Sequence, residues 1–406
     1  MKTYDSIVIG AGASGLFYGA LSKPGTNSLI IDHSERPGLK LLISGSGQCN
    51  ITHDGSIKSF ISRYGASGRY IRGALYGASN LSLLEFLNQN GIRTVSRDDG
   101  KIFPASLKAS EITNMLIKKS EANGFRLLLK HHVTDIEFSS SDNTYTVTTA
   151  NGSFKTDKLI IAAGGMSYPK TGSDGSIHPL IAKLGININP CRPALAPVYI
   201  HDYSYRSLSG ISFKNAHVRL LENNREIAAA SGDILLTHRA FSGPAVLDIS
   251  RYARQGYALE INYIPPVSLQ TASAMIKSGF QGNNKQLHTY ISQTLHVPDA
   301  FAAKIIEDAG ICPDMKTSCI EGDDISQIAR ALTCHRYTIS GTGGFNEAMA
   351  TAGGVSLDEI NLRNMESKKY SNLFFIGEVL DIDGDTGGFN LQFAYSSAAA
   401  AVRNKS

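Results

Sequence analysis

Apolar and polar positions follow two different periods along the chain, and the changes of period divide it. Ser6–Ile9 is a short apolar run that ends in Gly10-Ala11-Gly12-Ala13-Ser14-Gly15, and the small and apolar residues Leu16–Leu21 follow. A second apolar run, Ser28–Ile31, is closed by Asp32. Strand, glycine turn, helix, strand and acid within about 30 residues is the βαβ pattern of a dinucleotide-binding fold. Apolar residues at Leu81, Leu83, Leu84 and Leu87, stopped by Gly91, predict a helix. Ile112, Met115 and Leu116, between Ser110 and Gly124, predict another. From Phe125 the period shortens: Tyr145 and Val147 alternate with threonines before Asn151-Gly152, which predicts a β-hairpin. Lys158–Gly165 reads as a buried strand returning to a glycine turn.

Pro190, Pro193 and Pro197 punctuate the point where this pattern ends, so a domain crossing is expected there. Beyond it His217–Leu221 and Tyr257–Tyr263 read as strands. Three short apolar faces then predict helices: Leu287, Tyr290 and Ile291; Phe301, Ile305 and Ile306; Ile325, Ile328 and Leu332. The first pattern returns with the strand-like Leu373–Ile376, a glycine-rich turn and the alanine-rich helix Tyr395–Val402. A last strand and helix that match the first domain make the middle an insertion. The expected division is an α/β domain of residues 1–190 with 345–406, a β-rich insertion of 191–268 with 333–344, and a small helical insertion of 269–332.

Composition narrows the class. With 406 residues, 42% apolar and 18% charged, the chain can bury a core and is neither disordered nor fibrous. A net charge of +4 suits an anionic ligand but falls short of a dedicated nucleic-acid binder. Cys49, Cys191, Cys312, Cys319 and Cys334 form no C-x-x-C pair, which argues against a disulfide scaffold or clustered metal site and for a reducing compartment. The start of the chain carries no signal-peptide pattern and no window is apolar enough to span a membrane, so a cytoplasmic location is expected.

The first glycine turn is the stronger chemical signal. Gly10 permits the tight turn, Gly12 lets the backbone approach a pyrophosphate, and Gly15 lets helix and strand pack closely. The helix N-terminus then presents free N–H groups to the phosphates, and Asp32 is placed to accept from a ribose. The second turn carries Gly377-Glu378, Asp381, Asp383-Gly384 and Gly387-Gly388-Phe389-Asn390. Set beside the first, it would meet the far end of a long cofactor such as FAD, whereas NAD has no need of it. The alternative is a turn and packed alanine helix that touch no ligand.

At this point the chain resembles a family. Lys40–Thr52, Gly100–Pro104, Ala163–Gly172, Leu236–His238 with Ser242–Pro244, Thr351–Ser356, Met365–Lys368 and Gly377–Asn390 are similar, in order, to blocks of the bacterial aminoacetone-oxidase-like (BaiN-like) FAD-binding flavoproteins. The resemblance covers essentially the whole chain. It implies a Rossmann-like FAD-binding α/β fold of the two-dinucleotide-binding type, interrupted by a β-rich and a small helical insertion. It also implies FAD contacts at Gly10, Gly12, Ala13, Ser14, Gly15, Asp32 and Lys40, and in the loop Ser44, Gly45, Gly47, Gln48, Cys49 and Asn50. Further contacts are implied at Val133 through its backbone, at Ala163 and Gly164, and at Gly377, Glu378, Asp383, Gly387, Gly388, Phe389 and Asn390. Four positions depart from the family pattern: Asp32 stands for a usual Glu, Gln48 for Arg, Ala163 for Thr and Ala350 for Val.

No second strand–glycine turn–helix unit with its own acid is legible; Gly341–Asn346 is the nearest and lacks the βαβ context. A separate NAD(P)H domain is therefore not expected, although NAD(P)H remains the candidate transient donor over the flavin. No C-x4-C pair is present, which excludes disulfide-reductase chemistry. Three residues are candidates for catalysis. Cys49 in the flavin loop is a thiol or merely a small residue that fits a tight turn. His238 lies before Ser242-Gly243-Pro244 and is a switchable base or a structural ring. Tyr168 is a hydroxyl donor or a packed ring. The leading reading is an FAD-dependent oxidoreductase that moves a hydride between the flavin and a small molecule or NAD(P)H, with no nucleic acid, membrane or metal partner. A non-catalytic flavin sensor and a flavin-dependent RNA-modifying enzyme are the alternatives; Arg251, Arg254, Lys368 and Lys369 are too sparse for the latter.

Overall fold

Short apolar runs without alternation suit strands covered on both faces, and that is how the chain uses them. In the computed structural model, which describes residues 2–279 and 284–403, five neighbouring parallel strands make up most of a seven-stranded sheet and run to one of its edges. Their spatial order is Leu373–Phe375, Leu159–Ile161, Ser6–Ile9, Ser28–Ile31 and Phe125–Leu128. The first four of these strands are buried along their whole length. Ile7 pairs with both Leu29 and Leu159, and Leu159 with Leu373, so the chain's last strand closes beside strands laid down near its start. Glu366–Ser367 and Ile360–Asn361 extend that edge antiparallel.

The helix Ala13–Leu21 follows the first strand and packs against both Ala109–Ala122 and the C-terminal helix Phe389–Arg403. Small residues permit this close approach. Ser120 Oγ reaches Leu16 O at 3.2 Å, and Asn123 Nδ2 donates to Gly19 O and Ala20 O, both at 3.0 Å. The C-terminal helix is buried almost all round, which explains its alanines and the absence of a polar face. Thr144–Thr149 and Gly152–Thr156 pair across Asn151-Gly152, and Val133–Ser139 and Lys2–Tyr4 complete that sheet.

The chain divides into two compact units, Met1–Ala194 with Phe345–Ser406, and Leu195–Gly344. The first crossing thus falls after Ala194, within the stretch that Pro190, Pro193 and Pro197 punctuate. Pro190 and Pro193 do not break the chain: they lie in the strand Ile188–Ala194, which pairs with Ala350–Val355 with a register shift between Asn189 and Arg192. A two-stranded sheet tolerates proline because each strand has an edge with no ladder to donate to.

In the second unit, six strands close a barrel: Val198–Ile200, Ser212–Glu222, Arg225–Leu236, Phe241–Ser242, Ala258–Asn262 and His335–Thr342. The helices Leu269–Ser278, Leu287–Leu295, Asp299–Asp308 and Gly322–Thr333 share its core instead of forming a separate domain. The Phe301 ring lies 4.5 Å from Phe213 and 4.8 Å from Tyr263, centre to centre, and Tyr205 donates to Asp308 at 2.6 Å. Helices of two to three turns have one apolar stripe each and must bury it on a neighbour.

Candidate active site

The first glycine turn has the geometry that a dinucleotide needs. Gly10 sits at φ 109°, and a Cβ there would run into the backbone of Ala162 on the adjacent strand. A Cβ at Gly12, by contrast, would meet nothing within 4 Å, so the start of helix Ala13–Leu21 is open to an approaching pyrophosphate. Asp32 is held by charge-assisted bonds: Oδ2 accepts from Ala11 N and Oδ1 from Ser34 N, both at 2.7 Å. Each oxygen keeps a lone pair for a ribose hydroxyl.

A cleft opens from this turn. It is lined by Gly10, Asp32, Val133 and Ala163, which the sequence assigned to the cofactor, and by His33, His131, His132 and Asp174, which it did not. Ser173 Oγ is buried without a hydrogen-bond partner, and a Cβ on Gly164 would sit 2.9 Å from it. A glycine cradle with an orphaned hydroxyl beside it fits a nucleotide that supplies the missing partner.

The two glycine turns meet. Gly377 is at φ 72°, and a Cβ there would collide with the side chain of Ser14 in the first turn. Glu378, next in sequence, gathers three groups. Its Oε1 accepts from Thr351 N (2.8 Å) and Ser167 Oγ (2.9 Å), and Lys40 Nζ donates to Oε2 (2.7 Å) and to Ser167 Oγ (2.5 Å). Lys40 and Glu378 are 24% and 21% exposed, so this is a half-sheltered ion pair. Read from sequence as a cofactor contact, Lys40 is joined here to a carboxylate that the sequence placed in the same site.

The loop Ser44–Asn50 twists through left-handed backbone at Gly45, Ser46, Gly47 and Cys49. These turns fold the loop back on itself: Gln48 N donates to Gly45 O at 3.1 Å and Cys49 N to Ser44 O at 2.9 Å. Asn50 ties the loop to the second turn. In the amide orientation its neighbours require, it donates to Thr52 O (2.9 Å) and accepts from Gly388 N (3.2 Å). Gln48 accepts from Arg97 Nη2 at 2.5 Å, and the Arg97 guanidinium lies 4.0 Å from the centre of the Phe103 ring. A cation therefore reaches this loop from a hairpin elsewhere in the chain.

Asn390 closes the second turn on itself: Oδ1 accepts from Gly384 N (2.8 Å) and Nδ2 donates to Gly384 O (2.9 Å). Phe389 is clamped between Phe60, Tyr64 and His53, the last stacked at 5.4 Å and 15°. His53 was missed in the sequence because nothing local marks it. Asp383 and Gly387 lie in the same turn, Asp383 partly buried and Gly387 buried.

The catalytic candidates part company. Cys49 is buried, and burial pushes its thiol up to about 12 against a smaller opposing effect from Ser44. This is the setting of a packed thiol, not of an activated nucleophile. At pH 8 the thiolate fraction is of order one in ten thousand, so iodoacetamide is expected to leave Cys49 unlabelled in the folded protein. Mass spectrometry of the alkylated peptide checks this; rapid labelling at pH 8 would contradict it. Tyr168 is half-buried at φ 53°, ψ 59°, a conformation costly for a bulky residue, held by its N–H donating to Phe345 O at 2.8 Å. Burial, with Glu347 adding to it, raises the phenol's pKa, so it stays protonated at neutral pH. His238 belongs to the other unit, in a turn closed by Ala240 N donating to Thr237 Oγ1 at 3.0 Å.

A parallel α/β sheet with an open glycine turn, a carboxylate lining the cleft beside it and a second turn folded against the first defines an FAD-binding oxidoreductase of Rossmann type. The chain matches the family profile described as "HI0933-like protein Rossmann domain" over residues 4–404, and it belongs to that family. It is similar to a protein of Escherichia coli named ribosomal RNA dihydrouridine synthase, 31% identical with 100% of this chain and 98% of that one covered. It is also similar to 3-dehydro-bile acid delta(4,6)-reductase of Clostridium scindens, 26% identical over 98% of this chain and 97% of that one. Among solved structures, a 3-ketosteroid-delta4-(5alpha)-dehydrogenase from Rhodococcus jostii shares the fold, with TM-score 0.52, 12% identity, and coverage of 99% of this chain and 97% of that one. No helix among the described residues is long and apolar enough to cross a membrane.

Proposed function

We propose that this protein reduces a carbon–carbon double bond conjugated to a carbonyl, with electrons taken from a nicotinamide that visits the same flavin. The observation that carries the reading is the single cradle. Among the described residues only one strand–glycine turn–helix unit carries its own acid, so donor and acceptor take turns at one site. The names of the two relatives converge on the same chemistry: dihydrouridine is uridine saturated across a ring double bond conjugated to a carbonyl, and the delta(4,6)-reductase acts on a 3-oxo ring system.

When bound, FAD would supply the hydride chemistry that links the donor to the electron-poor carbon. The chain's own part is position and proton. Glycine turns, Asp32 and the Ser44–Asn50 loop hold the cofactor; the protonated Tyr168 phenol is the proton source for the second carbon. The expected result for Tyr168→Phe is unchanged flavin content and unchanged bleaching by NADPH, with reduction of the acceptor slowed roughly a hundredfold or more. The assay is anaerobic single turnover with a cyclic enone, scored by a product two hydrogens heavier. An enzyme that reduces neither an enone nor a uracil ring would overturn the reading.

A second reading concerns the acceptor. A relative at 31% identity matches end to end and is named for ribosomal RNA, which favours a pyrimidine in RNA over a free small molecule. The sequence argued against nucleic acid on Arg251, Arg254, Lys368 and Lys369. The first of these is buried, and the other three donate to nearby carbonyls.

A further inference from the structure

Between Gly55 and Leu84 the chain carries Lys58, Arg63, Arg69 and Arg72 and no Asp or Glu. All four cations are exposed. The helix Gly68–Gly77 sorts them: Ile71, Ala74 and Leu75 face the core, while Arg69, Arg72 and Tyr76 recur at i, i+3 and i+7 along the outer face. Tyr70 and Tyr76 are 45% and 47% exposed. Each is coupled to a cation. The Arg69 guanidinium lies 4.6 Å from the Tyr70 ring centre and donates to its hydroxyl at 2.7 Å, and Arg72 lies 5.4 Å from the Tyr76 ring. Arg403, at the end of the C-terminal helix, donates to Gly77 O and adds a fifth exposed cation.

An ordinary solvated helix offsets its cations with carboxylates one turn away. Among the described residues, Lys58, Arg69 and Arg72 form no ion pair, and Arg63 reaches Asp385 only at 3.8 Å. The strip is also continuous with the second flavin turn. Asp385 N donates to Arg63 O (2.8 Å), Tyr64 OH donates to Phe389 O (2.8 Å), and the Arg63 guanidinium lies 5.7 Å from the Phe389 ring.

We propose that this face of helix Gly68–Gly77, with Lys58, Arg63 and Arg403 at its ends, docks single-stranded RNA and leads one base to the flavin turn. Guanidinium groups bind phosphate oxygens in pairs, and exposed tyrosines give bases a ring to stack on. Cation–aromatic alternation, with Asp385 beside Arg63 as the one carboxylate the strip meets in an ion pair among the described residues, is complementary to a polyanion that carries flat bases and offers little to an apolar partner. The proposal rests on the RNA reading of the acceptor.

The test uses the FAD-loaded full chain and a fluorescein-labelled uridine-rich RNA of about 20 nucleotides, sized to cover the strip. Anisotropy is measured across a salt series for the wild type, Arg69→Gln/Arg72→Gln and Tyr70→Ala/Tyr76→Ala. Loss of two phosphate contacts is expected to weaken binding roughly tenfold or more and to flatten the slope of log K against log salt by about 1.4. The tyrosine pair is expected to weaken binding by a similar factor with the slope unchanged. All three proteins should hold FAD and reduce a free cyclic enone equally, which separates docking from chemistry. Equal binding by wild type and variants, competition by polyglutamate as strong as by RNA, or no binding by the wild type would each overturn the docking face. Failure of enone and uracil reduction in every protein would overturn the proposed reaction instead.

Discussion

Asp32→Ala is expected to yield a folded protein that cannot retain FAD. The Asp32 carboxylate fixes the first turn through Ala11 N and Ser34 N and presents its remaining lone pairs to the cleft. Alanine removes the acceptor for a ribose hydroxyl and frees two N–H groups that had shaped the turn. Hydrogen bonds to a charged group contribute about 1.5–3 kcal/mol each, so the loss of affinity should be roughly a hundredfold. Titration of the apoprotein with FAD, followed by quenching of flavin fluorescence, reads this directly. Asp32→Asn, which keeps an acceptor and loses the charge, should fall between. An unchanged dissociation constant in Asp32→Ala would mean that the adenosine end binds elsewhere.

The second large effect is expected at Glu378. Its carboxylate is the common partner of Lys40, Ser167 and the Thr351 amide, so it joins the flavin loop side, the strand returning from the first half and the strand Ala350–Val355. Glu378→Ala leaves a sheltered ammonium and an amide without their acceptor. Breaking a fully buried pair costs about 3–5 kcal/mol; with both side chains about one-fifth exposed, about 2 kcal/mol is the expected loss. For a unit of this size that lowers the melting temperature by roughly 4–8 °C. Lys40→Met combined with Glu378→Leu should recover part of the loss, since the penalty comes from the unpaired charge more than from the missing attraction. Thermal unfolding of the wild type, Lys40→Met, Glu378→Leu and the double variant checks the prediction; strict additivity of the two single variants would contradict it.

What could be read from the sequence was what is local. Gly10, Gly12, Gly15 and Asp32 follow one another in a single βαβ unit, so spacing alone predicts a turn and an acid at one end of the strands. Strands such as Ser28–Ile31 and the helix Leu287–Leu295 were legible because their apolar period is set within the segment. The environment of Cys49 was not, because its burial comes from packing distant in sequence. Lys40 and Glu378 stand 338 residues apart, and no pattern in either neighbourhood announces the pair. His53 stacks on Phe389 for the same long-range reason. Pro190 and Pro193 lie in a strand all the same, because a two-stranded sheet accepts what a central strand would reject. Arg69 and Arg72 were passed over because four cations in 30 residues look unremarkable until the helix brings them onto one face beside exposed tyrosines.

The measurement that bears most directly on the account is the anaerobic absorbance spectrum of the purified protein, first alone or loaded with FAD, then with NADH or NADPH, then with a cyclic enone or uridine-containing RNA. The account predicts flavin bands near about 370 and 450 nm, their bleaching by one of the nicotinamides, and their return when the unsaturated acceptor is added. A protein that takes up no flavin even after incubation with FAD, or a bleached flavin that no conjugated alkene reoxidises, would contradict it.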